Sequence, residues 1–153
     1  MNTLELQRAL NLIQKKAARA VFASDELIRA SVRRPFAAIV NTDVSTRTGQ
    51  HWNGIYIDED GNGEYFDSFG RPPTGLHLKF LKKHARKFTF NSRVLQHPLS
   101  TYCGQYCLMY LVFKFNNLSL KEFVDMFNND LECNDDIIDL LYNMTFYKVN
   151  LID

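Results

Sequence analysis

The sequence predicts an α+β fold, a central mixed β-sheet flanked by helices, on three observations. Apolar residues recur at helical spacing at the N-terminus and again in the last third. Between them lie short runs rich in strand-favouring residues, and the order shows no βαβ alternation. The chain has 153 residues, 46% hydrophobic and 23% charged, so a single domain with a real core is expected rather than a disordered segment.

Taken in order, Leu4, Leu6, Leu10, Ile13, Ala17 and Val21 alternate with Arg8, Lys15, Lys16 and Arg19, which reads as one amphipathic helix within a helical segment 1–34. A second short helix opens at Ser24. Pro35 stops helical structure, and Phe36 to Asn41 reads as a buried strand. After a polar loop, His51 to Ile57 reads as a strand running into Asp58-Glu-Asp-Gly-Asn-Gly63, turn chemistry from which Glu64 to Asp67 returns as the partner strand of a hairpin. That turn also begins like a calcium loop, but its twelfth position is Phe69, where a bidentate Glu is needed. Gly70, Pro72, Pro73 and Gly75 mark a loop before a basic helix that buries Leu76, Phe80, Leu81 and Ala85. Phe88 to Phe90 and Arg93 to Gln96 read as short strands. A helix then opens near Tyr102, a second is capped by Ser119 with Glu122, and a third by Asn134. The divisions are 1–34, a core over 36–116, and C-terminal helices over 119–147.

Charge and cysteine usage narrow the function. Residues 1–34 hold seven basic and three acidic side chains, and residues 75–93 hold six basic and none acidic, although the net charge is only +1. Such segments are either solvated helix faces or the footprint of an anionic partner such as nucleic acid. The apolar run Cys107 to Phe113 falls well short of the ~20 residues of a membrane-spanning helix. The opening residues carry Glu5 and no apolar stretch of secretory length, so an intracellular, reducing setting is expected, with no membrane partner. The three cysteines, Cys103, Cys107 and Cys133, are odd in number and read as thiols.

Four residues could carry chemistry together. Cys103 stands at the start of an apolar helix, where unpaired N–H groups and the macrodipole favour a thiolate, and Gly104 beside it leaves room for a substrate backbone. Cys107, one turn later, reads as core. His51 heads a strand and alone would be an ordinary structural histidine; Asp67, at the end of the partner strand, is placed to hold its imidazole. Gln96 could join the Cys103 N–H as donor to an oxyanion. The order His, Asp, Gln, Cys-Gly is that of a thiol hydrolase. Zinc on Cys103, Cys107 and His97 would rest on a single C-x₃-C spacing, and no metal is expected.

Ala38 to Thr42, Thr48-Gly49, His51-Trp52, Tyr65 to Gly70, Gln96 and Cys103 to Cys107 together resemble the adenovirus-type cysteine protease (adenain) family, viral relatives of the ubiquitin-like-protein proteases, over residues 36–116. The resemblance implies an adenain/Ulp-like fold with His51 as general base, Asp67 as its orienting acid, Gln96 in the oxyanion hole and Cys103 as nucleophile. It also implies cleavage after small, Gly-type residues, in capsid precursors during virion maturation, with a location in the host nucleus and the virion. Removal of ubiquitin-like modifiers is the alternative, and a non-enzymatic nucleic-acid-binding module the second. By the same resemblance no cofactor serves the chemistry, and an activating peptide and viral DNA are expected partners, the DNA through segments 1–34 and 75–93; the sequence leaves the oligomeric state open, with a monomer favoured. The chain has no cysteine before Cys103 through which such a peptide could be tethered.

Overall fold

The protein is described by a computed structural model covering residues 1–13 and 18–147. Its centre is a five-stranded sheet in the order β1-β2-β3-β4-β5: β1 (Ala18–Phe22), β2 (Phe36–Asn41), β3 (Trp52–Ile57), β4 (Asn62–Phe66) and β5 (Lys87–Phe90). The two inner pairings, β2 with β3 and β3 with β4, are antiparallel, and both outer strands add in parallel, so the sheet is mixed. Helices cover both faces. On one side lie α1 (Thr3–Leu12), α4 (Cys103–Phe115), α5 (Leu120–Asp125) and α6 (Leu131–Phe146); on the other lie α2 (Ser24–Leu27) and α3 (Gly75–His84).

β2 shows why the strands read as continuous apolar runs: all six of its residues are buried. Ala37 and Ile39 enter the core under α4, while Phe36, Ala38 and Val40 enter the one under α3. Helix α4 rests directly on β3, and the contact depends on Gly54, where a Cβ would stand 2.8 Å from the Tyr110 ring. That close approach brings the start of α4 against the start of β3.

Three expected elements differ. The helical periodicity that runs on to Val21 is real in α1 only as far as Leu12, and Ala18–Phe22 is instead a strand, because it pairs along its whole length with β2; Lys15, Lys16 and Ala17 lie outside the described residues. Arg93 to Gln96 forms no strand and runs irregularly, its backbone held by Ser68, whose carbonyl accepts from the N–H groups of Leu95 (2.8 Å) and Gln96 (3.1 Å). Asn134 does not cap the last helix. Asp130 does, accepting from the Cys133 N–H at 3.1 Å, and Asn134 is buried inside α6 with its amide turned to other work. On α3 the fully covered face carries His77 with Phe80 and Leu81, while Leu76 is only half-buried. The helix predicted from Ser119 and Glu122 has its capping box in place.

Candidate active site

Three of the four site residues are placed by where β3, β4 and α4 begin and end. His51 is the residue before β3 and Asp67 the residue after β4, and the antiparallel register that pairs Gly54 with Phe66 carries these two ends to one edge of the sheet. There the His51 Nε2–H donates to Asp67 Oδ1 at 2.8 Å, with both side chains buried. This bond fixes the tautomer and leaves Nδ1 as the nitrogen available to a thiol. Cys103 is the first residue of α4, and it lines the same cleft as His51, whose imidazole acts on its titration.

Asp67 is itself held on every side. Its Oδ1 also accepts from the Phe69 N–H at 2.8 Å, and its carbonyl accepts from the Gly70 N–H at 2.8 Å, a tight turn that sends the chain away from the sheet. Gly70 has φ +69°, and a Cβ there would stand 2.7 Å from the Ser92 carbonyl oxygen, so the turn needs glycine. The Asn91 side chain continues the β4 ladder, accepting from the Asp67 N–H (3.0 Å) and donating to the Asp67 carbonyl (2.6 Å). The Phe69 ring lies 4.9 Å from the His51 imidazole, centroid to centroid.

The electrostatics of the pair follow. Burial alone would push the His51 imidazole down, but the hydrogen bonds to Asp67 and Cys103 and the charges of both raise it from 6.5 to about 9. Burial would likewise push the Cys103 thiol up. The hydrogen bond and charge of His51, with backbone hydrogen bonds from Trp52 and Gly104, reverse that and bring it below its usual value. Helix α4 has no side-chain cap, so the positive end of the helix is left to act on the sulfur. The two shifts run in opposite directions, so the arrangement favours the thiolate–imidazolium pair over the neutral thiol and imidazole. Cys107, fully buried, is the opposite case: burial holds its thiol well above the ordinary range.

Gln96 is buried and lines the same cleft as His51, Trp52 and Cys103, a space of about 620 Å³. Its amide is oriented. Nε2 donates to the Ser100 carbonyl at 3.0 Å, and Oε1 accepts from the Ser68 hydroxyl at 2.6 Å. All four residues singled out in the sequence therefore meet in one place. Sequence reasoning missed Ser68 and Asn91, whose roles arise only when β4 meets the 91–96 segment, and it missed the N-terminus. Met1 also lines the cleft, and its carbonyl accepts from the Trp52 indole N–H at 3.1 Å. The space beside Gly104 is filled by this segment, since a Cβ there would lie 3.2 Å from Met1 Cβ and 3.3 Å from Leu6, so the glycine admits α1 and not a substrate backbone.

Among the described residues no three His, Cys, Asp or Glu side chains gather in a way that could hold a metal ion. No described helix is long and apolar enough to cross a membrane.

The chain is similar to known proteases. It is 31% identical over 109 residues to the "SUMO-1 cysteine protease S273R" of African swine fever virus (isolate Pig/Kenya/KEN-50/1950), a match covering 61% of this chain and 40% of that protein. The crystal structure of the African swine fever virus pS273R protease superposes with a TM-score of 0.51 at 30% identity, covering 65% of this chain and 41% of that one. The SUMO protease Ulp1, solved with its catalytic cysteine oxidised to a sulfinic acid, shares the fold at 14% identity, with a TM-score of 0.50 over 95% of this chain and 78% of its own. No protein-family model matches. The chain spans about 40% of the length of the viral relatives it matches. The chain thus resembles a viral cysteine protease in sequence and fold, and shares its fold with a SUMO protease.

Proposed function

We propose that this chain, similar in sequence to viral cysteine proteases and in fold to a SUMO protease, is itself a cysteine peptidase that cleaves after glycine, at the Gly-terminated tails of ubiquitin-like modifiers or sequences that mimic them. The observation that carries the proposal is the buried His51–Asp67 hydrogen bond beside a Cys103 thiol that the same histidine holds below its usual pKa.

The steps follow from the geometry. The Cys103 thiolate attacks the scissile carbonyl carbon, forming the C–S bond and moving the carbonyl π-electrons onto oxygen. The Gln96 amide and the free N–H groups at the start of α4 stabilise that oxyanion. When the tetrahedral adduct collapses, His51 delivers its proton to the leaving amine, and Asp67 keeps the imidazole in the orientation that makes this transfer possible. Water, deprotonated by the now neutral His51, hydrolyses the thioester and restores the thiolate.

Modifier cleavage is favoured over capsid-precursor cleavage because relatives matched in sequence and in fold carry SUMO-protease names. The viral source of the sequence relatives is what favours the second reading, maturation of virion proteins. The test offers the purified chain a SUMO-type modifier and a ubiquitin, each ending in Gly-Gly-aminocoumarin, beside fluorogenic peptides with Gly-X-Gly ahead of the scissile bond. Cys103-dependent release from a modifier in preference to the peptides supports the first reading, and the reverse preference the second. No release from either by wild type, or equal release by Cys103→Ala, overturns the peptidase assignment.

A further inference from the structure

Asp67 and Ser68 are consecutive, and their side chains serve two different parts of the cleft. Asp67 holds His51, and the Ser68 hydroxyl, with the residue fully buried, donates to Gln96 Oε1 at 2.6 Å. A glutamine has three side-chain torsions and an amide whose two ends are nearly the same size, so it donates to an oxyanion only if something selects one rotamer and one face. Here one group selects the face and a second holds it. The Ser100 carbonyl can only accept, so it must receive Nε2–H; the Ser68 hydroxyl satisfies Oε1 and keeps it turned from the cleft. One Nε2 hydrogen then remains for the substrate.

The backbone of Gln96 is held as firmly, and from a helix that contributes no cleft residue. The Leu95 carbonyl accepts from Asn134 Nδ2 at 3.1 Å, and the Tyr106 hydroxyl, its one hydrogen shared with Asp135, lies 3.2 Å from the same carbonyl oxygen. Asp135 Oδ1 accepts from the same hydroxyl at 2.9 Å and from the His97 N–H at 3.4 Å. Asn134 and Asp135, both buried in the first turns of α6, therefore grip the residues on either side of Gln96, while the Ser68 carbonyl takes the N–H groups of Leu95 and Gln96.

We propose that Ser68 is the positioning residue of the oxyanion site, presetting the Gln96 amide through the Ser68 Oγ–Gln96 Oε1 hydrogen bond on a backbone clamped by Asn134 and Asp135. The assignment rests on the peptidase reading above. It divides the turn after β4 between the two halves of the reaction: Asp67 acts on the proton, Ser68 on the oxyanion.

The test is a double-mutant cycle on the full chain with a Gly-Gly-aminocoumarin substrate. Gln96→Ala should lower kcat by about 10²–10³-fold. Ser68→Ala should lower kcat by about tenfold or more at unchanged KM, and the pair of substitutions should be no slower than Gln96→Ala alone, because the hydroxyl acts only through that amide. The pH profile of Cys103 alkylation should stay that of wild type. If Ser68→Ala fails to fold by circular dichroism, Ser68→Cys, which keeps the size and weakens the donor, replaces it in the kinetic cycle. Losses that multiply, an unaltered kcat, or an alkylation profile that moves would overturn the role of Ser68 and leave the peptidase reading standing. Absence of Cys103-dependent cleavage by wild type would overturn both.

Discussion

The Cys107 thiol donates to the Trp52 carbonyl across 3.4 Å, tying the second turn of α4 to the residue that follows His51. The nucleophile and its base lie 52 positions apart in the chain, and this buried contact one turn below them is one of those that hold α4 against β3.

Removing that tie should loosen the pair. Cys107→Ala deletes a fully buried sulfur and its donor, and should cost about 1–2 kcal/mol of stability, read as a lower urea midpoint at unchanged slope. A smaller fall in kcat should accompany it.

The two thiols on α4 should differ sharply in reactivity. Iodoacetamide at pH 7 should modify Cys103 in the native protein and leave Cys107 untouched, since one thiol is held low and the other is buried and held high. Peptide mapping by mass spectrometry after a short exposure reads the result directly.

Asp67→Asn should remove a charge and the acceptor that fixes the His51 tautomer. The imidazole should fall from its raised value, alkylation of Cys103 at pH 7 should slow, and kcat should drop on the order of 10²–10⁴-fold. A stopped assay with a fluorogenic Gly-Gly substrate measures the loss.

Activity and stability should share an alkaline limit. Peptidase activity needs protonated His51 and thiolate Cys103, so its alkaline limb should fall as pH passes about 9. In stability, the folded His51 value lies above its unfolded one of 6.5, so its contribution is complete below about 6.5 and is lost as pH rises through about 9. The difference in urea midpoint between wild type and His51→Gln should shrink across that window.

Gly70→Ala should be the most damaging single methyl in the turn. It forces a side chain into a positive-φ position and against the Ser92 and Arg93 backbone, and should cost about 2 kcal/mol or more. Because the same turn carries Asp67 and Ser68, activity should fall further than stability alone explains, which a melting curve beside a rate measurement will separate.

Elements whose signal is local were legible in the sequence. The Phe36–Asn41 strand, the turn through Gly61 and Gly63, and the Ser119–Glu122 box each carry their own chemistry within a few residues. β1 was not, because only its pairing with β2 distinguishes it from a continuation of α1, and Asn134 was misplaced because its amide is drawn to Leu95, 39 positions away. The same division runs through the site. His51, Asp67, Gln96 and Cys103 stand out by residue type and order, whereas Ser68, Asn91 and Asp135 are ordinary polar residues until the 91–97 segment folds between β4 and α6.

The Trp52 indole closes on the carbonyl of Met1, and the first three residues form part of the cleft wall. For the experimenter this decides where an affinity handle goes. A handle joined to Met1 would start at the cleft wall, so it has to leave the Trp52–Met1 hydrogen bond in place.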